Sequence, residues 1–224
     1  AKFATDTLKV KKVAIFRDVK SDYSVGLANF FAEKFKELGG EIIADLSYQS
    51  GDMDFNGQLT ELKSKNPEAI FIPGYYTEVG LIARQAQQLG LKVPLMGGDG
   101  WDSAKLVEIG QDAIIGNYFS NHYTSESQDP IVVDFIKKFK TRYNNETPDA
   151  LATLGYDAAR ILIAAIQRAK EPTPQLIRDE IAKTKDFQAV TGKITLNEQR
   201  NAIKSAVVVK VDKTGNRFVT TVVP

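Results

Sequence analysis

The chain contains no cysteine and only one histidine, His122. Without cysteine it has no disulfides, no thiolate metal ligands and no cysteine nucleophile, and either a reducing or an oxidising compartment is compatible with it. A single histidine also leaves little basis for a histidine metal site or a serine-histidine triad. We therefore predict no metal site, no catalytic residue and no cofactor.

Net charge and long apolar runs are lacking as well. Lys and Arg total 29 against 28 for Asp and Glu, so no excess charge favours a nucleic-acid partner, and we predict none. No apolar run is long enough to span a bilayer. The opening residues, 1–8, have the spacing of a short helix, and we expect no signal peptide in them.

Short apolar runs alternate with amphipathic segments through the first half of the chain. The runs predict strands at 13–16, 41–44, 69–72, 93–96 and 114–119, and the segments between them predict helices. Because a helical connection returns the chain to the same end of a sheet, these strands must pair in parallel with right-handed crossovers. The fold class that follows is α/β, with a doubly wound parallel sheet.

The pattern changes near Ser120. Residues 131–143, 150–170 and 174–183 have helical periodicity, followed by a short strand at 193–195 and a hairpin of 206–211 with 217–223. The change at Ser120 is the predicted domain boundary.

A glycine cluster brackets Asp99 where the fourth strand ends. Gly97, Gly98 and Gly100 allow a sharp turn, and Asp102 or Ser103 can cap the next helix. The loops 18–24, 73–78 and 97–103 all follow parallel strands and share this carboxyl edge, where open α/β sheets bind ligands.

Aromatic and acidic side chains gather at this edge: Asp18, Tyr23, Tyr75, Tyr76, Glu78, Asp99, Trp101 and Asp102. Aromatic faces around an isolated acid suit an organic cation with an apolar body, of which an amino acid is the simplest example. The structural alternative is that tyrosines are common at strand ends, that Asp99 and Asp102 serve the turn and the cap, and that Glu78 is an exposed acid in the first turn of a helix.

Sequence signatures of an enzyme are weaker than those of a ligand-binding site. The run from Gly97 to Gly100 lacks the lysine and hydroxyl of a phosphate-binding loop and the glycine spacing of a dinucleotide turn. Asp18 and Asp22 could form an acid-base pair only in a loop whose geometry the sequence does not define. We predict that the chain is not an enzyme.

Five segments together carry a family resemblance: DVKSDYSVG (18–26), FIPGYYTEVG (71–80), QAQQLGL (85–91), MGGDGWD (96–102) and LGYDAAR (154–160). In this order and spacing they resemble the branched-chain amino acid (Leu/Ile/Val-type) substrate-binding proteins of ABC transporters, which are type I periplasmic binding proteins. The resemblance implies two α/β lobes that close on an amino acid. It assigns the ligand ammonium to Asp99 and the walls of the cleft to Tyr23 and Tyr75. Trp101 is added as a ligand-binding residue from its position alone.

The chain departs from this family at its beginning, because the strand-helix run of the N-terminal lobe is absent. We expect residues 1–120 with 203–224 to form the C-terminal α/β lobe, and 121–202 to be the helical part of an incomplete N-terminal lobe. Apolar helix faces within 131–143 and 150–170 would then lack their sheet, which predicts an N-terminal lobe fragment or self-association to cover them.

The resemblance implies an exported solute-binding protein, periplasmic or at the cell surface, that binds a branched-chain or other hydrophobic amino acid and is recognised by a membrane permease. The alternative is a ligand-sensing regulatory domain on the same fold. Which amino acid binds is not defined by these residues.

Overall fold

The structure, a computed structural model, describes residues 1–223. It contains two compact units: the first comprises Ala1–Asn121 and Val208–Thr220, and the second comprises His122–Val207 with the last residues from Thr221. The assignment of 1–120 with 203–224 and of 121–202 to two lobes of the family stays a prediction.

The first unit contains a seven-stranded sheet with helices between its strands. The elements are α1 (Lys2–Asp6), β1 (Lys12–Asp18), α2 (Asp22–Glu37), β2 (Glu41–Tyr48), α3 (Asn56–Ser64), β3 (Ala69–Phe71), α4 (Tyr76–Gln88), β4 (Leu95–Gly97), α5 (Ala104–Gly110), β5 (Tyr118–Asn121), β9 (Ala206–Lys210) and β10 (Arg217–Val222). The strands lie in the sheet in the order β10-β9-β5-β4-β3-β1-β2.

The pairs β1–β2, β1–β3, β3–β4 and β4–β5 are all parallel. This confirms the predicted doubly wound α/β fold. The prediction of a strand at 114–119 was wrong in its bounds, because residues 111–113 form a 3₁₀ turn and the strand begins at Tyr118. The Asn117 amide explains the late start: its Oδ1 accepts from Leu95 N at 2.8 Å, and its Nδ2 donates to Ile114 O at 3.0 Å.

The core of the first unit forms where β1 is covered on both faces. Val13, Ala14, Ile15 and Phe16 are fully buried, as their uninterrupted apolar run predicts. Helix α2 begins at the Ser21 cap. It packs on the sheet through Phe31, whose ring is stacked 4.1 Å from that of Phe71. The core therefore fixes the start of α2 beside the carboxyl end of β1.

The order of strands defines a switch point between β1 and β3. After β1 the chain passes to β2 on one side, then crosses to β3 on the other side and continues to β4 and β5. The loops that leave β1 and β3 at their carboxyl ends therefore diverge, which opens a crevice in doubly wound sheets. Residues 19–21 and 72–75 form these two loops.

The second unit is mostly helical. It contains α6 (Pro130–Arg142), α7 (Ala150–Arg168), α8 (Pro174–Ala182) and the strands β6 (Phe187–Ala189), β7 (Gly192–Leu196) and β8 (Ala202–Ile203), which form a small sheet. Side chains of Asp129, Asp149 and Thr173 cap the three helices. The sequence predicted the helices but missed β6 and β8, which are too short to show a periodicity.

Buried Asp157 joins α7 to the turn between β6 and β7. Its Oδ1 accepts from Val190 N at 2.8 Å and its Oδ2 from Thr191 N at 2.9 Å. One turn later on the same helix, Arg160 donates to Gln188 O at 3.1 Å. The segment 154–160 thus holds the hairpin on α7.

Helix α7 is long and apolar enough to cross a membrane by length and composition, with a mean hydropathy of 1.2. The prediction that no apolar run is long enough to span a bilayer therefore does not hold for this helix. Its bonds through Asp157 place it as an integral helix of the second unit. Large apolar side chains of α6 and α7 are nevertheless exposed: Ile131, Val133, Leu151, Tyr156, Leu162, Ile163 and Ile166. Others, among them Phe135, are covered by a local cluster around Tyr123 and Val190.

Candidate functional site

Asp99 lies in a tight turn at the carboxyl end of β4. It begins a 3₁₀ turn, Asp99–Trp101, whose N-cap is Gly98. Its side chain is half-buried, whereas Gly98 and Gly100 on either side are buried. The turn therefore presents one carboxylate at the edge of the sheet, as the sequence predicted.

Tyr23 reaches this turn from the first turn of α2. Its hydroxyl donates to Asp99 Oδ1 at 2.8 Å and accepts from Gly100 N at 2.9 Å. A phenol that donates to a carboxylate forms a charge-assisted hydrogen bond, stronger than one between neutral groups. Both hydrogen-bonding functions of the hydroxyl are thus directed at the Asp99 turn.

Tyr75 comes from the loop after β3. It is the N-cap residue of α4, and its ring is stacked on that of Tyr23 with centroids 5.1 Å apart and an interplanar angle of 29°. The Tyr75 side chain is 47% exposed. Tyr23, Tyr75 and Asp99, predicted separately from three loops, therefore form one cluster beside the switch point.

The electrostatics of the cluster keep Tyr23 protonated. Burial raises the pKa of the Tyr23 phenol well above its usual value, and the neighbouring Asp99 carboxylate raises it further. The phenol therefore stays a neutral donor across the physiological range. The cluster combines one carboxylate with two stacked aromatic rings.

Gly98 and Gly100 allow Tyr23 and the 72–75 loop to lie close to the Asp99 turn. A Cβ at Gly98 would lie 2.7 Å from the Tyr23 hydroxyl oxygen, and one at Gly100 would lie 2.7 Å from Gly74 O. Any other residue at Gly98 or Gly100 would push Tyr23 or the 72–75 loop away from Asp99. The sequence indicated these glycines as turn residues, but not that they make room for neighbouring groups. The Gly100 N–H was missed as a partner of Tyr23, because backbone groups carry no residue-type signal.

Trp101 does not face the cluster. It is fully buried, its indole N–H donates to Ile72 O at 3.0 Å, and Gly97 lies directly against its ring. In this arrangement Trp101 supports the turn from inside the unit and offers no ring face to a ligand.

The other acids at this edge have structural partners. Asp18 is buried and its Oδ1 accepts from Lys20 N at 2.9 Å and Ser50 N at 3.2 Å. Glu78 is only 8% exposed and accepts from Gly51 N at 3.0 Å, so its prediction as an exposed first-turn acid was wrong. Asp102 accepts from Asn216 Nδ2 at 3.1 Å, and Ser103 is the cap of α5.

Within residues 1–223 no group of three or more acidic or histidine side chains is arranged to hold a metal ion. A carboxylate beside two stacked tyrosine rings has the chemistry to attract an organic cation that carries an apolar body.

The sequence profile of a family described as "Periplasmic binding protein" matches residues 1–216. A leucine-binding protein from Thermotoga maritima is 43% identical, and its structure superposes with a TM-score of 0.93 over 100% of this chain and 63% of that one. A branched-chain amino acid transporter substrate-binding protein from Streptococcus pneumoniae, solved in complex with isoleucine, is 33% identical with a TM-score of 0.84, over 97% of this chain and 62% of that one.

A curated relative from Pseudomonas aeruginosa is named a leucine-, isoleucine-, valine-, threonine- and alanine-binding protein. It is 28% identical over 199 residues, which are 88% of this chain and 52% of the relative. The chain thus spans about half the length of the curated relatives it matches.

Proposed function

Because this chain belongs to the periplasmic binding protein family, we propose that it is the solute-binding component of an ABC transporter and that its ligand is a branched-chain or other hydrophobic amino acid. The named binding proteins among its relatives, including one with isoleucine bound, support this ligand class. They also favour transport over the ligand-sensing regulatory alternative. The family is one of binding proteins, and we propose that the chain has no catalytic activity.

The observation that carries the proposal is the cluster of Tyr23, Tyr75 and Asp99 beside the switch point. The ligand ammonium pairs with the Asp99 carboxylate, which Tyr23 holds in place by its 2.8 Å hydrogen bond. The stacked rings of Tyr23 and Tyr75 provide apolar contact for the ligand's aliphatic body.

The site requires a second side. We propose that this side, which holds the ligand carboxylate, belongs to the part of the family fold that this chain does not span. The chain by itself then binds an amino acid weakly. In the complete protein, ligand binding stabilises a closed form of the two lobes, which a membrane permease recognises. We place this activity in the periplasm or at the cell surface.

The test is Asp99→Asn in the protein at its full native length, with leucine binding measured by calorimetry. The substitution keeps the size and the acceptor oxygen but removes the charge, which costs about 2–3 kcal/mol for a partly buried ion pair, or about 30- to 150-fold in Kd. Asp112→Asn is the matched control, because Asp112 is an exposed acid whose ion-pair partner, Lys213, is not part of the cluster. Equal leucine affinity for Asp99→Asn and the parent protein would exclude the assigned role.

The exposed apolar side chains of α6 and α7 suggest a site where another polypeptide binds. Leu151 is 59% exposed and Ile163 is 53% exposed on α7, and Val133 is 48% exposed on α6. Several large exposed apolar side chains on two helices are typical of an interface when they form one patch. We propose that an N-terminal lobe fragment or a second copy of the chain covers it.

Native mass spectrometry of the 224-residue chain tests this. A dimer, or a copurifying peptide from the same protein, is the expected result. A strictly monomeric chain that also binds no apolar dye would exclude an interface at these helices.

A further inference from the structure

The Trp101 side chain joins the two turns that carry the ligand-facing residues. Its indole N–H donates to Ile72 O at 3.0 Å, and the same carbonyl accepts from Gly74 N at 2.9 Å. One carbonyl oxygen thus receives a bond from the Asp99 turn and a bond from the turn that leads into Tyr75.

The packing around Trp101 allows little adjustment. The ring is fully buried and lies directly against Gly97, and its centroid is 6.1 Å from that of Phe119. Trp101 N also closes its own turn on Gly98 O at 3.1 Å. A shift of the ring therefore moves the backbone on both sides of Asp99.

The backbones of the two turns also lie close together. A Cβ on Gly100 would lie 2.7 Å from Gly74 O and 3.1 Å from Tyr75 Cδ1. Position 100 therefore has no room for a side chain between the Asp99 turn and the Tyr75 turn, and the Trp101–Ile72 bond joins the same two turns.

We propose that Trp101 is the positioning residue of the site: through Ile72 O it sets the Asp99 carboxylate against Tyr23 and Tyr75, so that the site distinguishes an α-ammonium from an uncharged α-substituent. This inference rests on the proposed function. A displaced carboxylate weakens the ion pair with the ammonium, whereas the apolar contacts with the rings depend less on its position.

The test compares Trp101→Phe with Phe35→Leu in the protein at its full native length. Trp101→Phe retains an aromatic ring but removes the donor to Ile72 O. Phe35 is an equally buried aromatic near the other end of α2, about 18 Å along the helix from Tyr23, so Phe35→Leu controls for loss of core packing. Calorimetry gives Kd for leucine and for 2-hydroxyisocaproate, in which a hydroxyl replaces the ammonium.

For Trp101→Phe we expect the leucine Kd to rise by about tenfold or more and the hydroxy-acid Kd by less than about threefold. The discrimination ratio, which is the hydroxy-acid Kd divided by the leucine Kd, therefore falls. Phe35→Leu should keep the parent ratio. A parallel loss of both ligands in Trp101→Phe, or an unchanged ratio, would overturn the inference. Should Trp101→Phe not fold, Gly100→Ala, whose Cβ meets Gly74 O, is expected to lower the same ratio, and a parent ratio in that variant contradicts the proposal.

A ligand-free measurement separates this inference from the proposed function. The Gly100 amide, which donates to the Tyr23 hydroxyl, should exchange its hydrogen faster in Trp101→Phe and at the parent rate in Phe35→Leu. If the parent protein binds no leucine but this difference is found, the proposed ligand is wrong and the positioning role stands. If the parent protein binds leucine and the exchange rate is unchanged, the positioning role is wrong.

Discussion

Two tyrosines of the first unit, half-buried Tyr23 and buried Tyr48, should respond in opposite directions when their hydroxyls are removed. Tyr23 Oη has two partners, Asp99 Oδ1 and Gly100 N. Tyr48 Oη is buried and has no hydrogen-bond partner among the described residues. The same substitution, tyrosine to phenylalanine, therefore breaks two hydrogen bonds in one case and none in the other.

The magnitudes follow from these partners. A bond to a charged group contributes about 1.5–3 kcal/mol, and Tyr23→Phe also leaves Gly100 N without its acceptor, so we expect it to lower the free energy of unfolding by about 2 kcal/mol, with partial replacement by water at this half-buried position. Tyr48→Phe removes a buried polar group that has no partner, which should raise the free energy of unfolding by about 1 kcal/mol.

Urea unfolding at pH 7 measures both changes. Trp101 is the only tryptophan and is fully buried in the first unit, so its fluorescence reports the unfolding of that unit. The free energy of unfolding should fall with urea concentration at the same slope in every variant, so that the midpoints can be compared. A loss of more than about 1 kcal/mol in Tyr48→Phe would mean that its hydroxyl is bonded, and an unchanged midpoint in Tyr23→Phe would mean that the bond to Asp99 contributes nothing.

Three further predictions concern the same two units. Burial raises the pKa of both Tyr23 and Tyr48 above the usual 10.0, so each phenol ionises in the unfolded chain before it does in the folded one; the free energy of unfolding should be unaffected by these groups well below pH 10 and should fall by about 1.4 kcal/mol per pH unit for each tyrosine above pH 10, a fall that urea unfolding up to pH 11.5 measures and that each phenylalanine variant should reduce by one such contribution. Asp157→Ala leaves two buried N–H groups without acceptors and should cost the second unit about 2–4 kcal/mol, with faster amide exchange at 190 and 191; exchange at the parent rate would contradict it. Gly97→Ala places a methyl group against the Trp101 ring and should lower the free energy of unfolding by about 1–3 kcal/mol or more. Gly26→Ala, in α2, meets nothing within 4 Å and should raise the free energy of unfolding by about 0.5–1 kcal/mol. Thermal melts that rank the two variants in reverse would refute the packing argument.

The elements of the sheet could be predicted because their signal is local. The apolar run at 13–16 is buried on both faces in β1, and the alternation with helices predicts parallel pairing without any knowledge of tertiary contacts. The prediction failed at 114–119, where the Asn117 side chain replaces strand pairing with bonds to Leu95 N and Ile114 O. A side-chain bond of this kind leaves no periodicity in the sequence.

The edge of the sheet was predictable, but the pairings on it were not. Parallel topology brings the loops of Tyr23, Tyr75 and Asp99 to the same edge, although Tyr23 and Asp99 are 76 positions apart. Burial of Glu78 was not predictable, because it depends on the loop at 49–52 folding over the edge so that Gly51 N reaches the carboxylate. Nothing in the helix that carries Glu78 indicates that loop.

Trp101 shows how the glycines decide the geometry of this edge. An aromatic residue two positions after an edge carboxylate suggests a ligand-facing ring, yet Gly97 leaves the space that the Trp101 ring occupies inside the unit. Gly98 likewise admits the Tyr23 hydroxyl, and Gly100 admits the 72–75 loop. Asp99 supplies the charge, but its position follows from three residues without side chains. Substitutions at these glycines should therefore change ligand discrimination as strongly as substitutions at the aromatic residues themselves.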